Sequence, residues 1–302
     1  MSMRPILVAG RSGQLARCLV ESAARRGINL VAIGRPELDL ENAGSVEQLA
    51  RAVEPSAMVN AAAYTAVDRA ESEPERAFAV NRDGAERLAA EAQRMGVPLI
   101  HISTDYVFDG RKSSAYAEAD AAAPLGVYGR SKLEGEGAVR GACPAAVVLR
   151  TSWVYSPYGR NFVTTMLRLA ETQDQVRVVD DQWGAPTAAS DLANAILDIL
   201  GQPQGEGGGS RGGLYHLAGQ GEATWHVLAS AIFTGWARRG RRVPKLVAIT
   251  SAEYSAPARR PANSRLDCTK IEGEFGIRLP SWRRSLDACL DRLFAEAELQ
   301  RC

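Results

Sequence analysis

Tyr128 and Lys132 are four residues apart, and on a helix that spacing puts both side chains on one face. A phenol with an ordinary pKa of about 10 moves protons slowly at neutral pH, but a neighbouring ammonium favours the phenolate and lowers that value. Upstream, the apolar run from Val97 to Ile102 reads as a buried strand, so Thr104 and Asp105 fall at its carboxyl end. Open parallel α/β sheets bind their ligands at that end. A threonine hydroxyl there can hold the oxygen that the phenol protonates, and Thr104, Tyr128 and Lys132 together suit the reduction of a carbonyl group.

The elements that must position these groups begin at the amino terminus. Ile6 to Ala9 reads as a strand, Gly10-Arg11-Ser12-Gly13 as a tight turn, and Gln14 to about Arg26 as a helix, with Leu15 in its first turn. Gly10 and Gly13 let the backbone approach a pyrophosphate, whose charge is favoured at a helix amino terminus. A second strand, Asn29 to Ile33, ends in Gly34-Arg35. An NAD-selective site carries an acid there, whereas a guanidinium suits a 2′-phosphate, so Arg35 favours NADPH, with NADH as the alternative cofactor. The strand Ala57 to Asn60 runs into Ala61-Ala62-Ala63, small residues that leave room for an extended ligand against the backbone. From Asn81, the apolar positions Ala85, Leu88, Ala89, Ala92 and Met95 have the spacing of one amphipathic helix.

Strand and helix keep alternating through Ala145 to Leu149, which predicts a doubly wound parallel α/β sheet. Beyond it come a helix over Asn161 to Ala170, a strand over Val176 to Val179, and a helix from near Ser190 to Leu200. A flexible glycine-rich loop from Gly205 to Gly213 precedes a further sheet strand, Leu214 to Leu217. A helix near Trp225 to Arg238, a strand near Leu246 to Ile249 and a final helix complete the pattern. The expected division is a discontinuous dinucleotide-binding domain, 1–150 and about 174–218, and a smaller α+β substrate lobe, about 151–173 and 219–302.

The 302 residues, 46% hydrophobic and 24% charged, bury a sizeable core without difficulty. A net charge of +1 leaves no footprint for nucleic acid or an anionic membrane. No apolar run approaches the roughly 20 residues that span a bilayer, and no signal peptide opens the chain, so the expectation is a cytoplasmic protein. Five scattered cysteines without a Cys-x-x-Cys pair argue against a disulfide framework or a zinc site. His101, His216 and His226 lack ligand spacing, and packing is the expected role of the first two, so no metal site is expected.

Taken together, these segments resemble the extended short-chain dehydrogenase/reductases of Rossmann type and, within them, the dTDP-4-dehydrorhamnose reductases. The stretches that carry the resemblance are Gly10 to Leu15, Asn60 to Asp68, Ser103 to Phe108, Tyr128 to Lys132, Arg150 to Tyr155, Asn161-Phe162, Asp181 to Thr187 and Ala258 to Ser264. The resemblance implies reduction of the C4 carbonyl of a dTDP-linked keto sugar to dTDP-L-rhamnose. Tyr128 would then be the proton donor, Lys132 would lower its pKa and hold the nicotinamide ribose, and Thr104 would bind the carbonyl. Asp105 and Trp153 match positions used around the sugar, and Asn161 and Arg260 positions suggested for the nucleotide and diphosphate. Gly10, Arg11, Ser12, Asp39, Leu40, Ala62, Ala63 and Thr65 match cofactor contacts. Ala16 stands where many members have glycine. Cys18 and Ser190 stand where some members carry carboxylates that bridge a dimer through metal, which argues against such a dimer and leaves a monomer or weak homodimer. Related readings are a sugar-nucleotide epimerase using the same tyrosine and lysine, and a regulatory subunit of similar fold.

Overall fold

The computed structural model describes residues 4–202 and 211–299, so most of the glycine-rich loop expected from Gly205 lies outside the described residues. The larger half runs β1 (Ile6–Ala9), α1 (Gln14–Arg25), β2 (Leu30–Ile33), α2 (Ala43–Val53), β3 (Ala57–Asn60), α3 (Ala85–Met95), β4 (Leu99–Thr104), α4 (Val127–Ala142) and β5 (Val147–Thr151). There follow α5 (Phe162–Thr172), β6 (Gln175–Val179), α6 (Ala189–Gly201), β7 (Gly213–His216), α7 (Trp225–Arg238), β8 (Lys245–Ile249) and α8 (Trp282–Leu299).

Six strands form one parallel sheet in the order β2-β1-β3-β4-β5-β7. The apolar runs of β1, β3 and β5 are buried throughout, as a sheet covered on both faces requires. Period-two alternation sorts their side chains. Val8, Val59 and Leu149 meet Leu15 and Leu19 of α1 and Leu192 and Ile196 of α6. Leu7, Met58 and Val148 face the opposite way, against Val46 of α2, Leu88 of α3 and Val139 of α4. The chain leaves β1 in opposite directions toward β2 and β3, which opens a crevice above their carboxyl ends.

The smaller half is built on α5, α7 and α8 around Met166, Ile232, Trp236 and Leu290. Here the expected boundary near residue 174 needs correction. The strand β6 pairs with β8, not with the main sheet, because Val176 and Val178 find their apolar partners in this second core. The chain returns to the main sheet only at α6, which packs with α1. The halves are stitched at the far side, where Glu21 of α1 accepts hydrogen bonds from Tyr158 at 3.1 Å and from Arg292 of α8 at 2.6 Å.

The helix expected from Asn81 is not regular. Ala79–Gly84 forms a π-helical turn before α3, and its cause is local. The Asn81 amide accepts from the Tyr64 nitrogen at 2.8 Å and donates to the Tyr64 carbonyl at 3.1 Å and the Ser131 hydroxyl at 2.9 Å. Those bonds draw the backbone toward α4, where a Cβ at Gly135 would stand 2.0 Å from the Asn81 carbonyl oxygen. Gly135→Ala is therefore expected to cost about 1–3 kcal/mol by overpacking, measured by urea unfolding. Gly137 on the same helix has nothing within 4 Å of its Cβ position, and Gly137→Ala should be neutral or stabilising by up to ~1 kcal/mol. Equal effects of the two substitutions would mean that the helices do not meet this closely.

Candidate active site

Three residues one turn apart on α4 face the sheet: Tyr128, Lys132 and Glu136. Glu136 accepts two hydrogen bonds from Arg150 of β5, at 2.8 and 2.6 Å, and one from Ser103 of β4 at 2.5 Å. This buried knot fixes the rotation of the helix. One turn back, Lys132 Nζ donates to the Ile102 carbonyl at 2.6 Å and lies 3.4 Å from Nε2 of His101. Burial lowers Lys132 to about 8 against the opposing influence of Glu136.

Another turn back, the half-buried Tyr128 faces Thr104 at the end of β4. Thr104 also accepts from the Tyr106 nitrogen at 3.2 Å and donates to Asp105 Oδ1 at 3.0 Å. Burial pushes the Tyr128 phenol up to about 12, with Thr104 opposing it. Sequence reasoning expected Lys132 to pull that value down. Lys132 instead spends its hydrogen bond on the strand carbonyl, so Tyr128 and Lys132 share a face without touching the same partner. Asp105 is buried, its Oδ2 without a hydrogen-bond partner among the described residues, and burial raises its carboxyl to about 7. A chain of tyrosine, threonine and carboxyl hydroxyls, backed by a lysine, can hold a carbonyl oxygen and deliver one proton to it.

The cofactor residues gather at the crevice above β1 and β3. Gly10 has φ +113°, and its Cα faces the backbone of Ala61 and Ala62, 3.4 Å from where a Cβ would stand. The Ala61 nitrogen donates to the Ala9 carbonyl at 3.0 Å, holding the two loops together. The α1 amino terminus has no side-chain cap and no acidic residue in its first turn, so its N–H groups are free of an internal anion. These features fit a dinucleotide pyrophosphate. Ser12 and Gly13 are exposed there, with Ala63 and Thr65 along the facing loop. Arg11 and Arg35 lie at the exposed rim, where Arg11 donates to the Arg35 carbonyl at 3.2 Å and Arg35 pairs with Glu41 at 3.5 Å. Asp39 caps its own turn by accepting from the Glu41 nitrogen at 3.0 Å. Leu15 and Leu40 are buried, and Gln14 reaches across to Val154 and Ser156, so these three shape the cradle from behind.

On the substrate side, Trp153 has φ +46°, unusual for a bulky residue, and stacks on Trp225 with ring centroids 3.5 Å apart. One of its faces is thus already covered. Trp225 donates to Gln182 at 3.1 Å. Arg260 crosses from the smaller half to Asp68, bonding both carboxylate oxygens at 3.1 and 3.0 Å. Asn161 stands at the amino terminus of α5. Its amide caps α5 by accepting from Thr164 at 3.1 Å and donates to the carbonyls of Ser156 and Tyr158. At the places where a bridging metal was weighed, burial raises the Cys18 thiol to about 12 and Asp191 accepts from Ser285 at 2.5 Å.

With this geometry in view, the comparisons are decisive. The model of the family described as the RmlD substrate binding domain matches residues 3–295. A dTDP-4-dehydrorhamnose reductase of Sinorhizobium fredii is 50% identical over 280 residues, 93% of this chain and 94% of its own. The chain belongs to the dTDP-4-dehydrorhamnose reductase family. Solved members of that family superpose closely. One from Clostridium acetobutylicum is 33% identical, with a TM-score of 0.89 over 96% of this chain and 99% of its own. One from Bacillus anthracis, determined in complex with NADP, is 33% identical, with a TM-score of 0.87 over 97% of this chain and 99% of its own. As a member of a reductase family, the chain is an NAD(P)H-dependent oxidoreductase with an extended short-chain dehydrogenase/reductase fold.

In this family member the residues that sequence reasoning missed are Asn81, His101, Tyr106, Glu136 and Trp225. Asn81 and His101 reach the site through turns and strand pairing, which a linear motif does not reveal. Glu136 was within sight, since it continues the four-residue spacing of Tyr128 and Lys132. The raised Asp105 carboxyl has a measurable consequence. Between about pH 4 and 7 the folded chain holds a proton that the unfolded chain releases, so this group makes stability fall as pH rises through that window. Asp105→Asn should therefore gain stability relative to the parent from pH 4 to pH 8, on the order of a few kcal/mol at about 1.4 kcal/mol per pKa unit. Denaturation curves at both pH values check it, and a constant difference would mean that the carboxylate is well solvated.

Proposed function

We propose that this chain reduces the C4 carbonyl of dTDP-4-dehydro-L-rhamnose with NADPH, giving dTDP-L-rhamnose. The carrying observation is that Tyr128 faces Thr104 at the end of β4, with Lys132 on the same face of α4. Family membership supports the substrate, and the Bacillus anthracis relative supports the cofactor. Gly10 to Gly13 and the start of α1 hold the pyrophosphate, Ala62, Ala63 and Thr65 line the dinucleotide, and Arg11 and Arg35 meet the 2′-phosphate. The bound dinucleotide supplies a hydride to the carbonyl carbon.

Thr104 and Tyr128 grip the carbonyl oxygen from two sides. As that oxygen gains charge it becomes more basic than a phenolate, and the Tyr128 proton crosses to it. Lys132, turned from the Ile102 carbonyl toward the ribose, then faces a phenolate and stabilises it. Asp105 holds a sugar hydroxyl beside Thr104, and the Trp153 indole packs on the sugar. Arg260 exchanges its Asp68 partner for the diphosphate.

Loss of NADPH absorbance on adding dTDP-4-dehydro-L-rhamnose tests the reaction. Tyr128→Phe should lower turnover by about 10²–10⁴-fold while leaving cofactor affinity near the parent's; parental turnover would remove Tyr128 as proton donor. Added dTDP should raise the melting temperature in the presence of NADPH, equivalent to about 2.7 kcal/mol at 100 times its Kd. Arg260→Ala should lose much of that protection and Tyr128→Phe little. Equal protection in the parent and the Arg260 variant would take this arginine out of the diphosphate site.

A further inference from the structure

Lys132 docks against a pair of uncharged residues whose hydrogen-bond pattern is over-determined. Asn60 of β3 and His101 of β4 are register partners in adjacent strands, both buried. Asn60 Oδ1 accepts from the Ala62 nitrogen at 3.3 Å, which aims its NH₂ group at His101, 3.1 Å from Nδ1. An amide NH₂ only donates, so Nδ1 accepts and the imidazole proton resides on Nε2. Nε2 faces the Lys132 amine at 3.4 Å, and that amine also donates to the Ile102 carbonyl at 2.6 Å.

A protonated Lys132 has donors only, so it would meet the Nε2–H of His101 donor to donor. Moving the ring proton to Nδ1 sets it against the Asn60 NH₂ group. Turning the Asn60 amide over then sets that NH₂ group against the Ala62 N–H. Each arrangement with an ammonium loses one bond of the chain. A neutral amine satisfies all of them, donating to Ile102 and accepting from His101. We propose that Asn60 and His101 are a positioning pair that favours the neutral amine form of Lys132 while it is docked at the end of β4, the lysine taking up a proton from solvent when it leaves His101 to serve Tyr128.

The other groups around Lys132 do not reverse this. Glu136, one turn along α4, is neutralised by Arg150 of β5 and bonded by Ser103 of β4. Tyr128, one turn back, is a protonated phenol, and the π-helical turn presents the uncharged Asn81 to Ser131. Asp105, next along the chain from β4, is turned to Thr104. Burial disfavours the charged form of both Lys132 and His101.

Lys132 matters because it serves Tyr128 in the reaction proposed above, yet the hydrogen-bond pattern is measurable without turnover. Long-range proton–nitrogen NMR of the three histidine rings, with His101 identified by its loss in His101→Gln, should find a neutral ring protonated on Nε2 near neutral pH. A proton on Nδ1, or an imidazolium, overturns the proposal whether or not the protein turns over substrate. In the kcat/KM profile, His101→Phe should move the alkaline limb about one pH unit upward, because the ammonium no longer opposes a facing N–H. His101→Gln, whose amide can still donate to the amine, should keep the limb near the parent's. An unmoved limb in His101→Phe, with lowered stability alone, makes His101 a packing residue and overturns the proposal.

Discussion

The buried ion pair between Glu136 and Arg150 is the constraint on which the site depends. Both side chains are almost wholly removed from water, at 5% and 3% exposure, and taking two charges out of water costs several kcal/mol each. Two parallel N–H···O bonds, the Ser103 hydroxyl and the Phe108 ring, 5.0 Å from the guanidinium carbon, offset that cost. The pair contributes geometry more than stability. It joins α4 to β5 and β4 at one point, and a helix pinned there cannot turn about its axis. Lys132 and Tyr128 lie one and two turns from the pin, so their directions are set by it.

Perturbed ionisation at this site has one dominant cause. Burial disfavours the charged form of each group, raising Asp105 and Tyr128 and lowering Lys132 and His101. At the end of β4 this leaves a phenol and a carboxyl, both able to carry a proton, on either side of Thr104, which donates to Asp105. Such clustering of shifted groups marks a reaction site more sharply than any single motif.

Polar bonds tie the halves together along the cleft. The segment from Ala258 to Arg265 is fastened by backbone bonds to Trp183 at 2.8 Å on either side, and Asn263 donates to the carbonyls of Lys112 and Ser114. Its outer end holds Asp68 through Arg260 and through the Ala258 nitrogen at 3.2 Å. Apolar burial also crosses between the halves, where Leu266 packs with Phe108 and Tyr116.

Much of the fold was legible in residue order. Runs such as Ile6–Ala9 and Val147–Thr151 can only be interior strands, and their alternation with amphipathic helices admits few arrangements besides a doubly wound sheet. The Gly10 turn, Thr104 at a strand end and the Tyr128–Lys132 spacing were legible for the same reason, since each depends on residues close in sequence. What the sequence left open depends on residues that meet only after folding. An apolar strand does not announce its partner, so β6 joined β8 because side chains of α5 and α7 covered it. Asn161 carries the same amide whether it caps a helix or meets a nucleotide, and only the closeness of Thr164, Ser156 and Tyr158 decided. Lys132 was bound to lie beside Tyr128 by helical period, but its hydrogen-bond partners belong to β4, and only the tertiary packing of α4 on that strand determined where its amine points.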